Sequence, residues 1–201
     1  MFSGSDLRKY TMPAQPAYLL SEAEYLQHER QAEFKSEYLN GEMYAMAGAS
    51  REHKQISTNL VVSLGAQLLE KPCGVYSSDM KVRTRTDKTN KFSYPDVVVT
   101  CGDELYEDEN GDVLLNPLVI IEVLSASTEA YDRGLKFFHY QLIPSLQEYL
   151  LVAQDYCRVE KYQRQADKQW VYSEFHEMQD VVEISTLECR VTVADIYRRV
   201  L

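Results

Sequence analysis

NPLVIIEVLSAST, residues 116–128, sets an acidic side chain in the middle of an apolar run. Leu118, Val119, Ile120, Ile121, Val123 and Leu124 flank Glu122. An Asn-Pro pair precedes the run and serine-rich turn chemistry follows it. A short, branched, uninterrupted run of this kind predicts a strand buried on both faces. An ionised carboxylate there costs several kcal/mol unless it is paired, hydrogen-bonded or bound to a metal. Burial can also leave the carboxyl protonated. The sequence therefore offers two readings of Glu122. It is either a protonated, hydrogen-bonded or ion-paired core residue, or one member of a cluster of acids assembled for chemistry.

The stretch before it favours a cluster. In YPDVVVT, 94–100, Asp96 stands at the start of a second apolar strand, whereas Glu122 stands near the end of the next. If the two strands pair antiparallel, both carboxylates meet at the same end of the sheet. Two close carboxylates ionise together only with a compensating cation. A hard divalent ion such as Mg²⁺ supplies one, and it takes oxygen ligands.

Working outward, SEAEYLQHERQAEF, 21–34, predicts a helix with Ser21 and Glu24 as a capping box. SEYLNGEMYAM, 36–46, predicts a hairpin turning at Asn40-Gly41, which sets Glu37 across from Tyr44 as a third candidate acid. Residues 50–71 have helical periodicity and stop at Pro72. Strands are expected near 75–85, 94–101 and 118–124. A helix over 129–143 follows, with Ser127 or Thr128 available as its cap. An antiparallel meander over 148–175 and a short helix near 192–200 complete the chain. The whole predicts a mixed α/β (α+β) domain with a central sheet flanked by helices. Residues 1–20 read as an arm and 21–201 as one domain.

On the 129–143 helix, Tyr131, Leu135, Phe138 and Leu142 form one apolar stripe. Asp132, Lys136 and Tyr140 form a second at i, i+4 spacing. Lys136 is then either half of an exposed ion pair with Asp132 or a cation turned toward the carboxylates.

The protein has 201 residues, 45% hydrophobic and 26% charged, and a formal net charge of −10. That charge disfavours a broad nucleic-acid-binding surface. Local cations remain: Lys81, Arg83 and Arg85 alternate along one expected strand face, fit either for a solvated edge or for phosphate contact. His53, between Arg51 and Lys54, fits a polar helix face, a phosphate donor or a proton shuttle. GDELYEDENGD, 102–112, is an acidic loop. The four cysteines are widely spaced with no CxxC pair, which argues against a zinc site or disulfide framework and suits a reducing cytoplasm. No stretch approaches the roughly 20 apolar residues of a membrane span. Gly-rich phosphate loops, HExxH and GxSxG are missing, which sets aside nucleotide kinases, zincins and serine hydrolases.

Glu37, Pro95-Asp96, Glu122, Ser125-x-Ser127-Thr128 and Asp132-x-x-x-Lys136-x-x-x-Tyr140, in this order, resemble a bacterial family of restriction-endonuclease-like proteins in the PD-(D/E)XK nuclease superfamily. SDMKVR and PSLQEYLLV extend the likeness over about 21–175. The resemblance implies a central mixed sheet and Mg²⁺-dependent phosphodiester cleavage of nucleic acid, in particular DNA, with Mn²⁺ as a possible substitute. It implies Asp96 and Glu122 as metal ligands, Glu37 as an additional acid, and Lys136 in place of the usual lysine two residues after the acid, where this chain has Leu124. A homodimer or higher homo-oligomer is expected, since many nucleases match two-fold duplex DNA. The alternative is a catalytically inactive nucleic-acid-binding or oligomeric module that keeps the fold.

Overall fold

The computed structural model describes residues 19–201, so almost all of the expected arm lies outside the described residues. Helix α1 spans Glu22–Glu29. Ser21 Oγ accepts the Glu24 N–H, and the Glu24 carboxylate accepts the Ser21 N–H. The hairpin follows as β1 (Ser36–Leu39) and β2 (Glu42–Ala45), with Glu37 opposite Tyr44. Asn40 and Gly41 both take positive φ, 49° and 103°, as a type I′ turn requires. Helix α2, Arg51–Leu68, is capped by Ser50.

The expected strand at 75–85 is two strands, β3 (Cys73–Ser77) and β4 (Lys81–Arg85), which join different sheets. A turn with the Met80 N–H donating to Ser77 O separates them. The expected strand at 94–101 is shorter. β5 (Asn90–Ser93) ends before Pro95, and β6 is Val97–Cys101. The chain continues through β7 (Val113–Leu114) and β8 (Val119–Leu124). Helix α3 runs from Glu129 to Tyr140 with a π-helical turn at Asp132–Lys136. The meander is β9 (Glu148–Ala153), β10 (Val159–Arg164) and β11 (Trp170–Phe175). A hairpin that the sequence reading lacked, β12 (Val181–Ile184) and β13 (Cys189–Thr192), precedes a short helix at Val193–Ile196.

A six-stranded mixed sheet, β11-β10-β9-β8-β6-β3, forms the centre, and a five-stranded sheet, β2-β1-β5-β4-β7, lies beside it. β6 and β8 pair antiparallel, Val97 opposite Ile121; β8 and β9 pair parallel through the α3 crossover. Alternation sends Val97, Val99, Val119, Ile121 and Val123 to one face, where they meet Ile56, Leu60, Leu64 and Leu68 of α2. Each such fully buried aliphatic side chain contributes about 1.5–3 kcal/mol before entropy is counted. Val98, Ile120 and Leu124 take the other face with Phe137, Tyr140 and Tyr149, and with Val82 and Leu114 of the second sheet. Glu122 points to that second face, into the seam between the sheets.

Two expectations need correcting here. Cys73 and Cys101 lie opposite each other on β3 and β6 and form a disulfide. Their distance in sequence concealed a directly cross-strand pair, so the cysteines give no argument for a reducing compartment. The stripe expected to face the core is also reversed in part, because Leu135 and Phe138 are 47% and 56% exposed. Asp132, Lys136, Phe137 and Tyr140 are buried instead. Among the described residues, no helix is long and apolar enough to cross a membrane.

Candidate active site

Glu122, only 3% exposed, is answered by two donors. Its Oε1 accepts from Lys136 Nζ and from the Tyr140 hydroxyl, each at 2.9 Å. Lys136 also lies 3.3 Å from Glu37 Oε1 and 3.6 Å from Asp132 Oδ1. The exposed-pair reading of Asp132 and Lys136 is therefore overturned, and the π turn is the reason. It widens α3 by one residue at the point where it crosses the sheet, carrying both charged groups inward; such turns recur at functional sites. The helix start differs from expectation as well. Thr128 occupies the cap position without a side-chain cap bond, and Ser125 O instead accepts the N–H groups of Thr128 and Glu129.

Asp96 reaches the same end of the sheet. β6 starts one residue later, so its carboxylate completes the ladder where main chain cannot: Oδ2 accepts the Val123 N–H at 2.8 Å. His53 Nε2, in the first turn of α2, lies 3.2 Å from the same oxygen. Glu37 enters from the five-stranded sheet. Its Oε1 also accepts the Tyr94 N–H at 3.4 Å, and its Oε2 accepts the Tyr131 hydroxyl at 3.1 Å.

A second lysine, absent from the sequence reading, completes the site. Lys91 on β5 is 1% exposed. It donates to Tyr131 Oη at 2.7 Å and lies 3.7 Å from Glu37 Oε2. An ammonium only donates, so Lys91 donates a hydrogen bond to Tyr131 Oη and the Tyr131 hydroxyl donates to Glu37. The two oxygens of Glu37 thus face two different lysines. No local pattern marks Lys91, whose neighbours read as an ordinary charged hairpin; only the register with β1, Leu39 opposite Lys91, brings it in.

Charge at the site is unbalanced. Four carboxyls, Glu37, Asp96, Glu122 and Asp132, face two ammonium groups. Burial raises Glu122 well above the usual carboxylate range, with Asp132 and Asp96 adding to the rise and Lys136 opposing it. Asp132 is raised for the same first reason. Burial also acts on Glu37, but Lys136 and Lys91 outweigh it and hold Glu37 below its ordinary value. Lys136 is kept charged: burial works against the ammonium, and Glu122, Glu37 and Asp132 overcome it. Burial pushes Lys91 down to about 8, against the pull of Glu37. Among the described residues, no group of three or more His, Cys, Asp or Glu is disposed as a complete ligand set for a metal.

The basic strand does not belong to this site or to an open surface. Lys81 is buried and pairs with Asp112 at 2.8 Å; Arg83 is buried between Glu22 and Glu107. Arg30 holds Asp108 and Asp112 from the other side. The acidic loop thus serves as internal counter-charge for β4. This removes Lys81 and Arg83 from any phosphate-binding surface; Arg85 alone of the three is exposed, with Glu22 at 3.8 Å.

A mixed sheet with two carboxylates at one end, a third acid from a neighbouring sheet and a buried lysine between them has the construction of a restriction-endonuclease-like fold. The chain belongs to the Uma2 family, described as "Putative restriction endonuclease", whose profile matches residues 22–194. Two uncharacterised proteins of Synechocystis sp. are similar to it. One is 37% identical over 170 residues, covering 85% of this chain and 95% of the relative. The other is 36% identical over 186 residues, covering 92% and 95%. In structure, the fold is similar to that of a "putative nuclease belonging to DUF820" from Anabaena variabilis. The TM-score is 0.72 at 19% identity, over 89% of this chain and 98% of that one.

Proposed function

We propose that the protein is a metal-dependent endonuclease that hydrolyses phosphodiester bonds in DNA. The observation that carries this reading is the convergence of Glu37, Glu122 and Asp132 on Lys136, with Asp96 at the same end of the central sheet. A purely structural ion pair needs one carboxylate, not three with a fourth alongside. Asp96 and Glu122 suit a hard cation: they are adjacent carboxylates, and Mg²⁺ commonly binds through one or two such groups and keeps several waters. A cation there would also let Glu122 ionise despite its burial.

When held by Asp96 and Glu122, Mg²⁺, or Mn²⁺ in its place, would lower the pKa of a water and neutralise phosphoryl charge. The chain's own groups do the rest. Lys136 places positive charge beside Glu122, where it stabilises the extra negative charge of the phosphoryl transition state. Glu37 holds Lys136 from the far side and keeps it from collapsing onto Glu122 alone. His53, against Asp96, is placed to relay a proton. Water oxygen bonds to phosphorus, one P–O ester bond breaks, and the departing oxygen takes a proton to become a hydroxyl.

Purified protein incubated with plasmid DNA, single-stranded DNA and RNA in Mg²⁺, Mn²⁺ or EDTA tests the reading. Metal-dependent cutting of DNA that falls at least about 100-fold in Glu122→Ala is expected, the scale on which losing a key electrostatic group acts. One observation favours a rival: Lys136 already satisfies Glu122, as it would in an inactive binding module. DNA binding with no cutting under any metal would select that rival. We also read the exposed Leu135 and Phe138 on the outer side of α3 as a self-association face, in line with a homodimer or higher homo-oligomer.

A further inference from the structure

We propose that the first turn of α2 and the C-terminal turn, bearing Arg51, Lys54, Arg198 and Arg199, form the track that holds the phosphate backbone of DNA beside the carboxylate cluster. The inference rests on the nuclease reading and says where its substrate lies. With a net charge of −10, the molecule as a whole repels a polyanion, so binding depends on a local concentration of cations. The basic strand does not provide one, because Lys81 and Arg83 are buried among carboxylates.

Placement singles out the α2 turn. His53, between Arg51 and Lys54, touches Asp96. Ser50 Oγ donates to Gln154 Oε1 at 3.0 Å, just past the end of β9. The C-terminal turn reaches the same end: Tyr197 Oη donates to Ala153 O at 2.7 Å, and Ala153 lies opposite Leu124, two residues beyond Glu122. The two segments are tied together, with Arg51 donating to Arg199 O at 3.2 Å and Asn59 donating to Arg198 O at 2.9 Å.

All four cations are exposed. Among the described residues, Arg51 and Arg198 form ion pairs only with neighbours on their own turns, Glu52 and Asp195. Such exposed pairs are weak and open readily to a phosphate. Among the described residues, Lys54 and Arg199 have no carboxylate within ion-pair distance. Arg199 holds φ at +63°, a left-handed conformation that a non-glycine residue adopts only when its surroundings hold it there. Arg51 bonding to Arg199 O and Asn59 bonding to Arg198 O hold this turn against α2. The N-terminal end of α2 adds its partial positive charge to the same place.

The test measures binding separately from cleavage. Fluorescence anisotropy with labelled duplex DNA in Ca²⁺, across a range of salt, compares the full chain with Lys54→Glu, Lys54→Glu/Arg199→Glu and Lys168→Glu. Lys168 sits in the turn between β10 and β11, at the opposite end of the central sheet, and serves as a charge-matched control. The double variant is expected to bind at least about tenfold more weakly and to lose about two units of the slope of log K against log salt. The control should stay within about twofold of the parent. Lys54→Glu changes an exposed side chain with no ion-pair partner among the described residues, so it keeps the test valid should the double variant fail to fold. Parent and patch variants binding alike would overturn the track while leaving the nuclease reading intact if the parent cuts DNA. Binding of an RNA of the same sequence but not the DNA would overturn the choice of backbone. A parent that neither binds nor cuts would overturn both.

Discussion

Removing the Lys136 ammonium would leave Glu37, Glu122 and Asp132 facing one another in a dry seam. Lys136→Met is expected to lower unfolding free energy by about 3–5 kcal/mol near neutral pH, the usual cost of stranding buried charge. Glu122 and Asp132 have raised pKa values, so falling pH protonates them and relieves the repulsion. The gap between parent and variant in urea midpoint should therefore narrow from pH 7.5 to pH 5. A gap that widens would mean that Lys136 is not their counter-charge. Lys91 gives the opposite sign. Its folded pKa, about 8, lies below the ordinary 10.5, so the unfolded chain binds this proton more tightly. Charged Lys91 costs folding stability below pH 8, and that cost fades as pH rises toward 10.5. Parent stability relative to Lys91→Met should rise across that window; a flat difference would disprove the burial of its charge. At this scale the sequence exposed the acids well. Glu122 and Asp96 broke apolar runs and announced themselves. Lys91 and Tyr131 broke nothing, and their place at the site depends on a register between distant strands.

The π turn in α3 is the element that converts an amphipathic helix into part of a site. Period 3.6 on the sequence set the Leu135 and Phe138 stripe toward the core, and the extra residue of the wide turn exchanged it for Asp132, Lys136 and Tyr140. No residue in DRGLK specifies such a turn, which explains why the exchange was hidden. Gly134 lies in that turn, and a Cβ there meets nothing within 4 Å. Gly134→Ala is thus expected to stabilise the protein by about 0.5–1 kcal/mol, read from thermal or urea unfolding. Deleting Gly134 should instead restore an ordinary helix, rotate Lys136 out of register with Glu122 and abolish DNA cutting with a smaller effect on stability. Cutting that survives the deletion would show that the π turn has no part in the chemistry. Elements whose signals were local, the Ser21 capping box, the Asn40-Gly41 turn and the 148–175 meander, were all legible. The split between β3 and β4, and the β12-β13 hairpin, depend on which sheet each strand finds.

At the scale of the molecule, the Cys73–Cys101 disulfide ties β3 to β6, closing a separation of 28 residues that contains all of β4 and β5. Reduction should cost about 2–4 kcal/mol, as for loops of this size. The test is urea unfolding with and without dithiothreitol; a Cys73→Ala/Cys101→Ala variant should be indifferent to the reductant. The same loop leaves the central sheet, builds two of the five strands of the second sheet and returns at Asp96. Membership of the central sheet was visible in the uninterrupted apolar runs of β6 and β8, but the partnership of the two sheets was not, because much of it runs through charged side chains that composition assigns to the surface.

Glu37 belongs to one sheet, Glu122 to the other, and Lys136 to the helix that joins β8 to β9. The grouping exists only once the sheets have docked. On the proposed function, cleavage would therefore belong to the finished tertiary structure alone: a nascent or partly unfolded chain could carry both sheets and still be harmless to the nucleic acid around it. Asp96 and Glu122 meet within the central sheet, but Glu37 reaches Lys136 only when the second sheet is in place.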